Sequence, residues 1–271
     1  MKNHLIKTTL VLLSITAFSL LSSCNKIASG LGNDQDGALA ENTYSDVYQI
    51  SEEADNGSLN SFKTSEASDI MSTCATITKD TIAKTITVNF GSTNCLCEDG
   101  KNRRGSVIIN YTASYRDVGS VRTITFSDYY VNDNKIEGSK TVTNMGLNSD
   151  SHLYFNIHVD GRIIKADGSG TIVWTSDRVR EWIEGESTTT RRDDLYHLTG
   201  SATGTTADGE SFTANITAPL TIDLSCRYRI TEGTIENTRG SRGTRTIDFG
   251  AGNCDDEAVV SVGSRTRTIH F

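Results

Sequence analysis

From Cys74 to Phe271 the chain alternates apolar and polar residues, with Thr, Val, Ile and Tyr prominent, in runs of about five to ten residues. The runs predict strands over 84–90, 106–116, 121–131, 135–144, 152–159, 171–176, 195–203, 210–217, 220–231, 244–249, 257–262 and 265–271. Turn chemistry separates them. Asp160-Gly161 and Asp208-Gly209 read as tight hairpins, because glycine accepts the positive φ such turns demand. Asp167–Gly170 and Arg239–Gly243 read as longer loops, and the single proline, Pro219, falls between two strand-like runs. Many short strands with short connections predict an all-β domain over 74–271: an antiparallel β-sandwich or one long twisted sheet.

Before Cys74 the texture differs. Residues 25–40, rich in Gly, Ala, Asn and Asp, read as a flexible tether, and 41–55 as one short helix with Val47 and Ile50 on the same side. Asn33-Asp34-Gln35-Asp36-Gly37 has the look of an EF-hand opening. That alignment places Gly32 and Thr43 where calcium needs carboxylates, so no calcium loop is read.

The first residues follow the order of an export signal. Lys2 and Lys7 precede an apolar stretch from Leu10 to Leu21, too short to cross a bilayer comfortably, and small residues follow. Leu21-Ser22-Ser23-Cys24 resembles a bacterial lipobox, which implies that residues 1–23 are cleaved and that Cys24 carries the lipid. Acyl chains contribute about 0.8 kcal/mol per buried methylene, enough to hold the protein at a membrane. Residues 24–73 then form a lipidated tether.

One meander appears twice. Thr87-Val88-Asn89-Phe90-Gly91-Ser92-Thr93-Asn94-Cys95 matches Thr246-Ile247-Asp248-Phe249-Gly250-Ala251-Gly252-Asn253-Cys254. Cys74 and Cys226 precede the copies, and Arg122–Phe126 and Arg267–Phe271 follow them, which makes 74–126 and 226–271 related meanders, as if two sandwich-like halves shared a plan. In an oxidising compartment the echo predicts the bonds Cys74–Cys95 and Cys226–Cys254, each contributing about 3 kcal/mol by the loop-entropy argument. Cys97 is left as a spare structural thiol.

Removing residues 1–23 leaves 24 basic groups against 34 acidic ones, a net charge of −10. Nine acids between residues 25 and 73 face only Lys26 and Lys63. With no basic excess to replace phosphate counterions, nucleic acid is not an expected partner. The acidic segment reads either as a solubilising stretch or as one held off an anionic leaflet.

Candidate chemistry is sparse. His152, His158, His197 and His270 stand apart along the chain, and His4 belongs to the signal. Glu181, Glu184 and Glu186 around Trp182 offer an acid pair for glycan chemistry, or simply a solvated hairpin face. Asp193-Asp194 and Asp255-Asp256-Glu257 read as turn acids, with weak calcium binding as the sharper alternative. Arg178/Arg180, Arg227/Arg229 and Arg265/Arg267 lie two apart, so each pair shares a sheet face, either meeting carboxylates or forming an anionic-glycan surface. Trp174, Trp182, Tyr129, Tyr130 and Tyr228 offer a sugar-stacking platform, although Trp174 between apolar neighbours reads as core. No cofactor or metal site is read.

Trp182-Ile-Glu-Gly185, Asp193–Gly200, Ile216–Leu220 followed by Cys226, and the repeated Phe-Gly-x-x-Asn-Cys resemble secreted lipoproteins of the Bacteroidetes group. The resemblance spans most of 74–271 and implies a β-rich secreted domain with an outer-membrane address. It also implies that Asp80-Thr81-Ile82 matches an O-glycosylation signal of that group, and it transfers no catalytic residue. The sequence reading is therefore a lipid-anchored envelope protein acting as a binding or structural module, with an envelope protein or glycan as partner. The alternatives are a glycan-processing hydrolase, with Glu181 or Glu184 lining a site, and an accessory subunit of an envelope complex.

Overall fold

A computed structural model describes residues 34–56, 71–226, 229–240 and 242–270. The signal segment, Cys24, the start of the tether and Tyr228 lie outside the described residues. The domain is all-β with one helix. Helix α1 (Asp34–Asn56) and a 3₁₀ turn (Ser72–Cys74) precede β1 (Thr76–Asp80), β2 (Thr85–Asn89), β3 (Cys95–Leu96), β4 (Asn102–Tyr111), β5 (Val121–Val131), β6 (Asn134–Leu147) and β7 (Leu153–Ile164). There follow β8 (Thr171–Glu184), β9 (Leu195–Thr205), β10 (Ser211–Asp223), β11 (Ile230–Arg239), β12 (Gly243–Ala251), β13 (Glu257–Val262) and β14 (Arg265–His270).

The strands form one 14-stranded antiparallel sheet in chain order, with the short β3 paired to β4. It is not closed into a barrel: β1 and β14 are its two edges. Of the two expected architectures, the long sheet is the one that forms. A sandwich would need a second sheet to cover the apolar face. Here α1 covers the part of it between β2 and β8, packing against β2, β4, β5, β7 and β8, while Leu220, Phe249 and Ala258 form a separate small cluster on the later strands.

Side-chain alternation sets the two faces. Along β7, Leu153, Phe155, Ile157, Val159, Gly161 and Ile163 are buried, while Asn156, His158, Asp160 and Arg162 are exposed. From α1 the core receives Ala40, Tyr44, Val47, Ile50 and Ala54. The helix begins earlier than its pattern predicts. Asp36, read as part of a flexible tether, bonds Lys165 Nζ at 3.2 Å and the Ala207 amide at 2.9 Å, which fixes the first turn against the sheet.

Three local expectations change. Asp160-Gly161 is not a hairpin turn; it lies inside β7, paired with Ser139 and Gly138 of β6. β8 extends eight residues past the expected end at 176, because its inward Arg178 and Arg180 meet α1 rather than water. Residues 220–231 are not one strand: β10 ends at Asp223 and the Cys226 loop intervenes before β11. Pro219 sits within β10 where the register to both β9 and β11 slips, so its missing N–H interrupts a ladder already broken there.

The repeated meander occupies both ends of this one sheet. At the end of β2 the Asn89 side-chain amide oxygen Oδ1 accepts the Gly91 N–H at 2.8 Å; in β12 Asp248 accepts the Gly250 N–H at 2.9 Å. Both glycines take positive φ, 81° and 88°. Cys74 is bonded to Cys95 and Cys226 to Cys254, with Cα separations of 5.6 and 5.2 Å. Each bond ties the approach to one strand to the end of the next hairpin. Cys97 is buried and unbonded, and burial pushes its thiol pKa up, as suits an inert structural sulfur.

Candidate functional site

The inner face of the sheet is lined by charge as well as by apolar groups. Arg103, Arg122, Lys140, Arg178 and Arg180 all point inward and are at most 6 % exposed. Most meet carboxylates. Arg103 holds Asp99 through two bonds of 2.6 Å, with Asp46 at 3.4 Å; Arg178 pairs with Glu41 at 2.8 Å. Arg122 meets Asp55 and, at 3.8 Å, Glu52, which also takes Arg191 at 2.8 Å. The acidic residues of 25–73 are therefore largely consumed within the fold, and their role as a solubilising stretch applies at most to the remainder.

Among the described residues, two of these five cations have no carboxylate partner at bonding distance. Lys140 donates to the Tyr44 carbonyl at 2.8 Å, and burial lowers its pKa to about 7. Arg180 lies among rings, its guanidinium 4.0 Å from the centroid of Tyr48, 4.8 Å from Tyr196 and 5.0 Å from Phe155, and it donates to the Tyr115 hydroxyl. Tyr48 and Tyr115 share a hydroxyl bond of 2.6 Å, and burial raises the Tyr115 pKa to about 12. This face is a packed interface with the protein's own helix. It removes Arg178 and Arg180 from any anionic-glycan surface, and α1 supplied partners that sequence parity alone did not identify.

Several expected aromatic sites are core. Trp174, Trp182 and Tyr129 are buried, whereas Tyr130 stacks under Arg104 at 3.8 Å. Trp182 Nε1 donates to Asp194 at 3.3 Å and the Tyr196 hydroxyl donates to the other Asp194 oxygen at 3.0 Å, so this acid serves the core rather than a calcium loop. Glu186 pairs with Arg116 at 3.3 Å, and Glu184 is exposed at the end of β8. Asp256 meets His270 at 3.2 Å, and Asp255 caps the Glu257 amide at 3.1 Å. Arg265 and Arg267 are exposed on the edge strand β14.

The outer face carries the remaining candidates. One register row crosses thirteen strands through Asp80, Thr85, Asn110, Thr123, Thr141, His158, Asp177, Ser201, Asn215, Glu236, Thr246, Ser261 and Thr266, every one polar. Directly paired residues share a face, so the row is a continuous polar band. A groove of about 290 Å³ lies on it, lined by Thr141, Thr143, Asn156, His158, Asp177 and Val179 among others. His158 Nδ1 and Asp177 Oδ1 are 2.7 Å apart at its wall. Nearer the β6–β7 turn, Glu181 takes His152 at 2.8 Å and Asn148 at 2.6 Å; the His152 bond leads in holding its carboxyl below the usual range. His152 and His158, distant in sequence from their acids, are thus paired with them across strands. Asp80-Thr81-Ile82 forms the exposed β1–β2 turn, where Asp80 accepts the Ile82 and Ala83 amides at 2.9 and 2.8 Å.

No family model, curated protein or solved structure matches this chain.

Proposed function

We propose that this chain is a lipid-anchored cell-envelope protein, held through Cys24 in the outer membrane, whose β domain is a binding or structural module using the outer face of the sheet. The observation that carries the reading is the division of labour between the two faces. Between β2 and β8 the inner face is occupied by α1, while the outer face presents a polar band across thirteen strands with a shallow groove upon it. Short hydroxyl, amide and acid groups in register suit an extended hydrogen-bonding partner, a glycan or the polar surface of an envelope protein. The lipid reading rests on the Leu21–Cys24 lipobox, ten residues before α1 begins. Asp36 contacts Lys165 and Ala207 in the turns after β7 and β9, so the tether would enter at that end of the sheet.

Two measurements test it. Labelled palmitate should enter the wild-type protein and not Cys24→Ala; equal labelling of the two would refute the anchor. The purified domain should capture envelope glycans or proteins without turning them over, and Thr141→Lys in the groove should weaken capture. Turnover that disappears in Glu181→Gln or Glu184→Gln would replace the binding module with a hydrolase.

A further inference from the structure

Beyond that reading, we propose that His152, Glu181 and His197 form a binding site for a divalent first-row transition metal, with two imidazoles and one carboxylate as ligands. Imidazole with carboxylate suits zinc, copper, nickel and iron, and Zn²⁺ is the probe of choice because it needs no redox partner.

The three residues come to one neighbourhood from three parts of the chain. Glu181 is an outward residue of β8, and the β8–β9 register places His197 directly opposite it on the same face. Directly opposed side chains have Cβ atoms about 4.5–5.5 Å apart, within reach of a shared ion. His152 comes from the β6–β7 turn and places Nδ1 2.8 Å from Glu181 Oε1. Zinc bonds of about 2.0–2.1 Å at a tetrahedral angle put neighbouring ligand atoms about 3.3 Å apart. The His152–Glu181 contact is therefore already close to one edge of such a site.

The surroundings fix two of these ligands. Asn148 donates from Nδ2 to Glu181 at 2.6 Å, and its Oδ1 accepts the amides of His152 at 2.9 Å and Asp150 at 3.0 Å. One side chain thus holds both the carboxylate and the loop bearing the imidazole, as outer partners do around bound metals. The three donor atoms are not within 4.8 Å of one another in the present rotamers, so completing the set requires the His197 ring to turn about its own side-chain bonds.

Two other clusters mark what the site is not. His158 and Asp177 make an equally short pair, 2.7 Å, but their register neighbours are Thr141 and Ser201, which add no third strong ligand. Asp223, Cys226 and Cys254 do lie within 4.8 Å, yet the two sulfurs are bonded to each other. With three protein ligands at an exposed sheet face, a fourth position is left to water or a second molecule.

The test is calorimetric titration of the full chain with Zn²⁺ in a non-chelating buffer. The expected result is one ion per chain. His152→Ala, Glu181→Gln and His197→Ala should each abolish binding or weaken it by at least about tenfold, and Asn148→Ala by about 10–100-fold, the range for outer partners. His158→Ala and Asp177→Asn should bind as the wild type does. None of these side chains is buried, and unchanged circular dichroism confirms each fold. A measurement without variants runs alongside: Zn²⁺ should slow diethyl pyrocarbonate modification of His152 and His197 and leave His158 unprotected. Absence of saturable binding, binding insensitive to His197→Ala, or equal loss on His158→Ala overturns the proposal.

Discussion

The Tyr44 side chain of α1 lies flat against Gly161 of β7, so that a Cβ at position 161 would overlap its hydroxyl and ring. The hydroxyl donates to the Glu137 carbonyl at 3.0 Å and to the Arg162 carbonyl at 3.3 Å, joining helix and sheet where two glycines, Gly138 and Gly161, face each other across β6 and β7. Gly161→Ala should therefore lower stability by about 1–3 kcal/mol, the usual cost of overpacking. The check is urea unfolding of Gly161→Ala, Tyr44→Leu and the double variant. Because Tyr44→Leu vacates the space, the double variant should be less destabilised than the sum of the two singles, and strict additivity would disprove the contact.

Lys140 makes stability depend on pH in the alkaline range. Its folded pKa is about 7, below the value of about 10.4 for a free lysine. Between those values the unfolded chain binds the extra proton, so stability rises with pH across the window, by up to about 1.4 kcal/mol per unit. Below the folded pKa both states are protonated and this contribution is flat. Lys140→Met should be more stable than the wild type at pH 6, with the gap closing toward pH 10. Denaturant midpoints measured at several pH values check this, and a constant gap would contradict it.

The buried Arg178 pairs with the half-buried Glu41 of α1. Glu41→Leu alone strands the arginine and should cost about 3–5 kcal/mol, whereas Glu41→Leu with Arg178→Met should recover most of that loss. The comparison of three denaturation midpoints decides it. A double variant as unstable as the single would mean that Arg178 has other work.

Non-reducing peptide mapping should find Cys74–Cys95 and Cys226–Cys254, with Cys97 alkylated only after unfolding. Losing either bond should cost about 3 kcal/mol. A bond through Cys97, or one joining the two meanders, would contradict the fold at its ends.

Residue alternation, the two related meanders and the pairing of four cysteines were legible in the sequence, because each is a local pattern: period two along a strand, an Asx turn before a positive-φ glycine, a cysteine at a fixed distance beyond it. A short helix was also legible over 41–55, with Val47 and Ile50 on one side. Small residues and Gly37 blunted it, and the expected helix began at 41 instead of Asp34. What only tertiary structure decided is what those elements face. Asp160-Gly161 carries the local signal of a hairpin, yet Gly161 is required in mid-strand because Tyr44 presses on it. Arg178 and Arg180 resemble surface charges until α1 brings Glu41 and the ring of Tyr48 over them. His152 and His197 are 45 positions apart and acquire a common neighbour, Glu181, only through strand register. Local periodicity specifies secondary structure and which residues share a face; which residues lie opposite them depends on long-range packing, which a linear pattern does not encode.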